Sequence, residues 1–456
     1  MDFHPRGFSA IISVGQRLSV SIEGQKEETK GFRKREAFGP WAWVPSLYVA
    51  EGLPYTLAVT VSVVLYKRLG VSNADIAFYT SWLYLPWVIK PIWSPLVDLL
   101  RTKRYWILFT ELLVGASLAC IALTIPTVRF FQYTLAFFWL MAFSSATHDI
   151  AADGYYMLAL REDRQAAFAG VRSAFYRIIT IATKGGLVVL AGVLEEGGHG
   201  IPRAWAISLF VAGAAMGALF LYHWVVLPFP AQDGPTRQKG LTSFGAEWVE
   251  VFRVFFKKRE IGRILAFLLF YRFAETQIIK ILVPFLLDGR ERGGLGLTTS
   301  EVGVVYGTVG VLALLLGGLL GGYAIYKKGL RFWIWIMACA VHLPNGVYVY
   351  LSQTQPTGFY VVNLCVALEQ FGYGFGFTAY TMFTIMICEG KHKTVHYAIS
   401  TGIMALGMMV PAMASGWLQE QMGYSNYFLW VMVATIPGFV VTGLVTIDRA
   451  FGKKRE

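Results

Sequence analysis

Charge is what this sequence has least of: 15% of its 456 residues are Asp, Glu, Lys or Arg, where an ordinary soluble domain carries about a quarter. A chain that is 55% hydrophobic, with a mean hydropathy of +0.52, has more apolar side chains than a water-facing fold can hide. The excess belongs in lipid. Cysteine is scarce too: Cys120, Cys339, Cys365 and Cys388 are scattered through apolar stretches, with no pair at metal or redox spacing, and read as small buried hydrophobes. No Gly-x-x-x-x-Gly-Lys-Ser/Thr loop is present, which argues against ATP hydrolysis. Without a His-Glu-x-x-His helix or a Gly-x-Ser-x-Gly turn, an intramembrane hydrolase would lack its usual equipment. His148, His342, His392 and His396 are too dispersed for a metal site, and the run Gly372, Gly374, Gly376 follows no strand, so neither a metal nor a dinucleotide cofactor is expected. Gly317 with Gly321 and Gly318 with Gly322 read likewise as close helix packing. Residues 1 to 40 are polar and basic, without the apolar core of a cleaved signal peptide, so the first insertion signal is expected to be a retained helix.

What is there is a succession of apolar stretches of the length a membrane requires, about 20 residues each. Twelve are expected, near 42–66, 75–97, 105–125, 130–156, 167–194, 203–226, 261–287, 300–325, 331–352, 358–388, 395–418 and 426–447. The fold class is therefore an all-α membrane protein of twelve transmembrane helices in two six-helix bundles, 41–226 and 261–447. A basic tail (1–40), a linker (227–260) and a short tail (448–456) are expected on the cytoplasmic side. The linker contains Pro228, Pro230, Asp233, Gly234 and Pro235, then Lys257, Lys258 and Arg259. With the N-terminus inside, the inner tails and loops hold about 29 of the 40 Lys and Arg, the outer loops about 6 and the helices about 5. The net charge of +12 is thus a topology signal spread over separate loops, and nucleic acid is not an expected partner.

The two parts of the chain also repeat each other. Ser72-Asn73-Ala74-Asp75-Ile76 resembles Thr298-Thr299-Ser300-Glu301-Val302 at an offset of 226. Arg104-Tyr105-Trp106-Ile107 resembles Arg331-Phe332-Trp333-Ile334, and Arg161-Glu162-Asp163 corresponds to Cys388-Glu389-Gly390, both at 227. Duplication of a six-helix unit is the trace of a transporter whose site lies between repeats.

Charged groups at membrane depth cost about 2.5–3.5 kcal/mol each on insertion scales, so they face water or one another. This chain places Glu51, Lys90, Glu111, Asp149, Asp153, Arg177, Lys184, Arg272, Glu275, Lys280 and Glu369 within apolar stretches. A polar central cavity follows. Asp149 and Asp153, four apart, share a helical face, and two carboxylates at that spacing repel in a low dielectric, which favours reversible protonation. The alternative is a structural lock with Arg172 or Arg177. Arg272, Glu275 and Lys280 spread over roughly 140° of helix circumference and are expected to look into the cavity, where two cations suit an anionic ligand. Arg177 and Lys184, seven apart, add to the same positive field, although Lys184 could instead snorkel to the headgroups. Lys90 either contacts substrate or pairs with Asp98 or Glu111.

Several segments resemble the AmpG-type permeases and the wider peptide and acetyl-coenzyme A transporter family within the major facilitator superfamily. Ser145-Ala146-Thr147-His148-Asp149-Ile150-Ala151-Ala152-Asp153 is similar to that family's Ala-Thr-Gln-Asp-Ile-x-x-Asp stretch, with His148 where Gln is usual and Gly154 after the second Asp. Glu51-Gly52-Leu53-Pro54, the run Lys90 to Asp98, Glu301 to Val305 and Glu369 to Gly376 are similar too. The resemblance implies a major facilitator fold and a proton-driven importer in a bacterial inner membrane. For AmpG-type members it implies a cargo of anhydro-muropeptides, disaccharide peptides that bear carboxylates. In that reading Asp149, Asp153, Glu51 and Glu275 are the candidates for proton coupling. Arg272, Lys280, Arg177, Lys184, Lys90 and Glu369 are the candidates for cargo, and a monomer is expected. A siderophore or acyl-coenzyme A permease is the alternative within the family, and a membrane-embedded enzyme the remote one.

Overall fold

A computed structural model describes residues 39–230, 233–234, 249–250, 252–388, 393–449 and 451–453. The tail 1–38, half of the linker (231–232, 235–248 and 251), and Glu389 and Gly390 of the third repeat match lie outside the described residues. Every regular element among the described residues is helical. We label them α1 (Pro40–Arg68), α2 (Asn73–Trp82 and Leu85–Leu100), α3 (Lys103–Thr124), α4 (Phe130–Ala159), and α5 (Glu162–Ile181, continuing through Ala182–Leu187 to Val188–Leu194). There follow α6 (Ile201–Val226), α7 (Ile261–Phe270 and Phe273–Leu287), α8 (Thr299–Lys328), α9 (Leu330–Thr354) and α10 (Phe359–Met386). The last long helix, Lys393–Val433, turns at Gly423, whose φ of 70° and ψ of 164° suit a residue without a Cβ. That turn separates α11 (393–422) from α12 (424–444).

Seven stretches among the described residues are long and apolar enough to cross a membrane, the last of them covering both α11 and α12. The segments that fall short, α2, α4, α7 and α10, are interrupted or more polar. They carry Lys90, Asp149, Asp153, Arg272, Glu275, Lys280 and Glu369.

The repeat in sequence is a repeat of helix starts. Ser72 caps α2 by accepting from the Asp75 backbone at 3.0 Å. Thr298 and Glu301 close a reciprocal capping box at the start of α8, at 3.2 and 2.8 Å. Thr102 caps α3 in the same way, and Asp233, just past α6, accepts from the Lys103 and Arg104 backbone N–H groups at 2.6 and 3.0 Å. A carboxylate there meets the positive end of the helix dipole.

Within the first six helices α3 packs between α4 and α6, and α1 against α5; within the last six, α10 packs on α8 and α9, and α7 on the long helix Lys393–Val433. The two sets meet along α2 with α11 and along α5 with α8, contacts that the repeat exchanges. The second contact is built on glycine: a Cβ at Gly307 would lie 2.2 Å from the Lys184 carbonyl oxygen, and one at Gly192 2.3 Å from the Ser300 nitrogen. At the end holding the α1–α2 and α7–α8 turns, polar side chains tie the sets together. Lys67 meets Asp288 at 2.7 Å, Asn73 meets Gln419 at 2.6 Å, and Thr299 donates to Glu195, the partner of Arg68, at 2.7 Å.

Candidate functional site

Below those ties lies a cavity of about 480 Å³ between the two helix sets. Its wall is built by α1 (Tyr48, Glu51, Tyr55), α2 (Tyr84), α5 (Arg172, Tyr176, Arg177, Lys184), α7 (Arg272, Glu275), α8 (Tyr306) and α10 (Gln370, Tyr373, Phe377). A side pocket of about 270 Å³ adds Trp87, Lys90, Ser145 and Asp149. Water reaches this region from the end opposite the ties, where Asp153 and Arg172 keep 36% and 37% of their side-chain surface exposed.

On the α1–α4 side three carboxylates converge: oxygens of Glu51, Asp149 and Asp153 lie within 4.8 Å of one another. Lys90 is hydrogen-bonded to Asp149, and Arg172 meets Asp153 at 2.7 Å while lying over the Tyr48 ring at 4.5 Å. Tyr48 donates to Asp153 as well, at 3.2 Å. Glu51 is buried, with Oε2 lacking any hydrogen-bond partner. Three acids against two bases leave one charge unbalanced.

On the α7 side Arg272 meets Glu275 at 2.8 Å, donates to the Tyr373 hydroxyl at 2.6 Å and stacks over Phe377 at 4.8 Å. Its charge is matched within its own turn. Lys184 lies over the Tyr306 ring at 4.4 Å, a cation–π contact. Among the described residues neither Lys184 nor Arg177 makes an ion pair with a carboxylate.

The expectation that Arg272, Glu275 and Lys280 share the cavity holds for the first two alone. Lys280 is fully buried, bonded to the Val59 carbonyl at 3.2 Å and 5.3 Å from the Tyr84 ring. Five residues past Glu275, it turns toward α1. Glu369 also stands outside the lining, held by Tyr348 at 2.7 Å and Gln370 at 2.9 Å. Lys90 takes Asp149 as its partner, whereas Glu111 goes to His223 at 2.6 Å and His148 at 3.3 Å, and the side chain of Asp98 lies outside the described residues. Sequence reasoning missed the tyrosines at 48, 55, 84, 176, 306 and 373. Their signal was adjacency: Tyr48 and Tyr55 flank Glu51 by about one helical turn, and Tyr176 precedes Arg177.

An apolar helical bundle enclosing a cavity with paired and unpaired charges at membrane depth defines a multi-pass membrane transporter. Residues 47–389 match the model of the Major Facilitator Superfamily, and the chain belongs to that family. Its curated relatives include the putative transporter AmpG 4 of Rickettsia conorii, 23% identical over 87% of this chain and 94% of that protein. The anhydromuropeptide permease of Escherichia coli is 26% identical over 86% of this chain and 77% of its own. Among solved structures, a D-xylose–proton symporter superimposes with a TM-score of 0.67 at 10% identity, covering 91% of this chain and 99% of that one. An inward-facing bacterial homologue of the human lysosomal transporter Spinster gives 0.66 at 16% identity, covering 90% of this chain and 94% of that one. At such identities the structural likeness speaks for the fold alone.

Proposed function

We propose that this chain is a proton-coupled importer of anhydro-muropeptides, working by alternating access of one cavity between two six-helix units. The observation that carries the reading is the charge inventory of that cavity. Among the described residues Arg177 and Lys184 lack carboxylate partners, and an unmatched cation at membrane depth calls for a counter-charge, which the carboxylates of a muropeptide supply. In the same cavity, Glu51, Asp149 and Asp153 exceed Lys90 and Arg172 by one negative charge, which one proton neutralises. Cargo and proton would thus load side by side in the same cavity, on the neighbouring helices α5 and α1. Glu51 is the group we assign to the proton, with Asp149 and Asp153 held in ion pairs around it. The excess of Lys and Arg supports cytoplasmic termini and linker, and the relatives' names support the cargo.

The test is uptake of radiolabelled anhydro-muropeptide into proteoliposomes holding the purified chain, with and without an imposed pH gradient. Accumulation above equilibrium with the outside acidic, abolished by a protonophore, is expected. Uptake that ignores the gradient would end the coupling assignment, and no uptake at all the cargo assignment.

A further inference from the structure

Two contacts join α1 to α7, and both span 221 residues: Lys280 donates to the Val59 carbonyl at 3.2 Å, and Lys67 to Asp288 at 2.7 Å. The two helices thus run in one register. Along each of them the contacts lie eight residues apart, or about 12 Å at about 1.5 Å per residue. Val63 and Val283, between them, belong to one apolar core.

The ties differ in charge. At the α1–α2 turn a carboxylate meets the cation, and Asp288 accepts from Tyr424 as well. The deeper tie sets a cation on a neutral carbonyl beside the Tyr84 ring, and among the described residues Lys280 makes no ion pair. A cation without a counter-charge at membrane depth is costly, and an uncharged donor would hold a carbonyl without that cost. Charge at this position therefore points to a second partner. An ammonium has three hydrogens to donate, of which the Val59 carbonyl takes one.

Lys280 is fully buried, yet both groups it touches, Val59 and Tyr84, line the cavity. Its nitrogen lies just behind the wall. Alternating access opens the carrier on the α1–α2 side by parting Lys67 from Asp288, and parting the same seam about 12 Å further down uncovers Lys280.

Building on the muropeptide reading, we propose that Lys280 captures a carboxylate of the cargo while the carrier is open on the α1–α2 side. On closure the Val59 carbonyl takes the ammonium back, and the carboxylate passes to Arg177 and Lys184 in the cavity. The capturing cation is thereby shown to cargo from one side of the membrane and hidden from the other.

The test compares uptake of anhydro-muropeptide and of its analogue with every carboxylate converted to an amide, in proteoliposomes holding the unmodified chain or Lys280→Gln. The variant is expected to raise the KM for muropeptide at least tenfold, the loss of one charged hydrogen bond, and to move the KM for the amide less than twofold. An unchanged KM for muropeptide, or an equal rise for both cargoes, overturns the capture and leaves Lys280 a latch. A second readout needs no variant. In the purified unmodified chain, a water-soluble amine reagent should modify Lys280 as the carrier samples its open state, and muropeptide but not the amide should protect it. Absence of modification, or modification without that protection, also overturns the capture. Both results leave the cargo reading standing, whereas failure of the unmodified chain to take up muropeptide removes both.

Discussion

Glu51 differs from its two acidic neighbours in what holds it. Asp149 and Asp153 each have a basic partner, whereas Glu51 Oε2 has none and the side chain is 8% exposed. The two kinds of carboxylate should therefore respond differently to neutralisation. Glu51→Gln is expected to abolish gradient-driven accumulation while equal-concentration exchange and thermal stability persist, because a neutral amide stands in for the protonated acid. Asp149→Asn strands Lys90, which keeps only 27% of its side chain exposed. Its cost should fall below the roughly 3–5 kcal/mol of a fully buried pair, and exchange and Tm should drop together. Exchange assays and melting curves on both purified variants decide between them. The charged residues themselves were legible in the sequence, since a Lys or Asp inside an apolar run is visible without coordinates. Their partners were not. Lys90 and Asp149 are 59 residues apart, and Lys280 reaches its acceptor, the Val59 carbonyl, across 221 residues.

The helices that line the cavity depart from regular α geometry. Wide π turns occupy Leu57–Val61 in α1, Ala182–Leu187 in α5 and Gly303–Val309 in α8. At the repeat offset of 227, the first two correspond to Pro284 in α7 and Pro411 in α11. Proline removes a backbone donor and a π turn loosens the ladder, so both make a helix easier to bend. None of the π turns was legible beforehand, because hydropathy measures apolarity and not hydrogen-bond register; the prolines were visible but carried no partner. Where α5 and α8 touch, glycine leaves no spare room. Gly307→Val should force the two helices apart, with an overpacking cost of about 1–3 kcal/mol. A lowered Tm together with reduced transport is expected, and unchanged values for both would mean that the helices slide without strain.

Across the whole molecule, the ties at one end and water access at the other describe a carrier closed on the side of the α1–α2 turn. Asp288 holds that closure, accepting from Lys67 at 2.7 Å and from Tyr424 at 2.6 Å, with side-chain exposures of 12% for Lys67 and 9% for Asp288. Asp288→Ala is expected to raise severalfold the labelling of a cysteine placed at Thr60, in the cavity wall, by an impermeant reagent added on that side. Unchanged labelling would assign the closure to helix packing instead. The matching helix starts were legible in sequence, whereas the ties between the first six helices and the last six were not, since Lys67 and Asp288 are 221 residues apart.

The register of those starts also dates one feature. The offset is 226 where α2 and α8 begin and 227 where α3 and α9 begin, so the later copy holds one more residue in between. A π turn closes its hydrogen bond over one more residue than an α turn, and the interval contains Gly303–Val309. A single codon gained in the second repeat, or lost from the first, after the gene duplicated would thus survive as a bulge in the wall of the cavity, absorbed where α8 packs on α5.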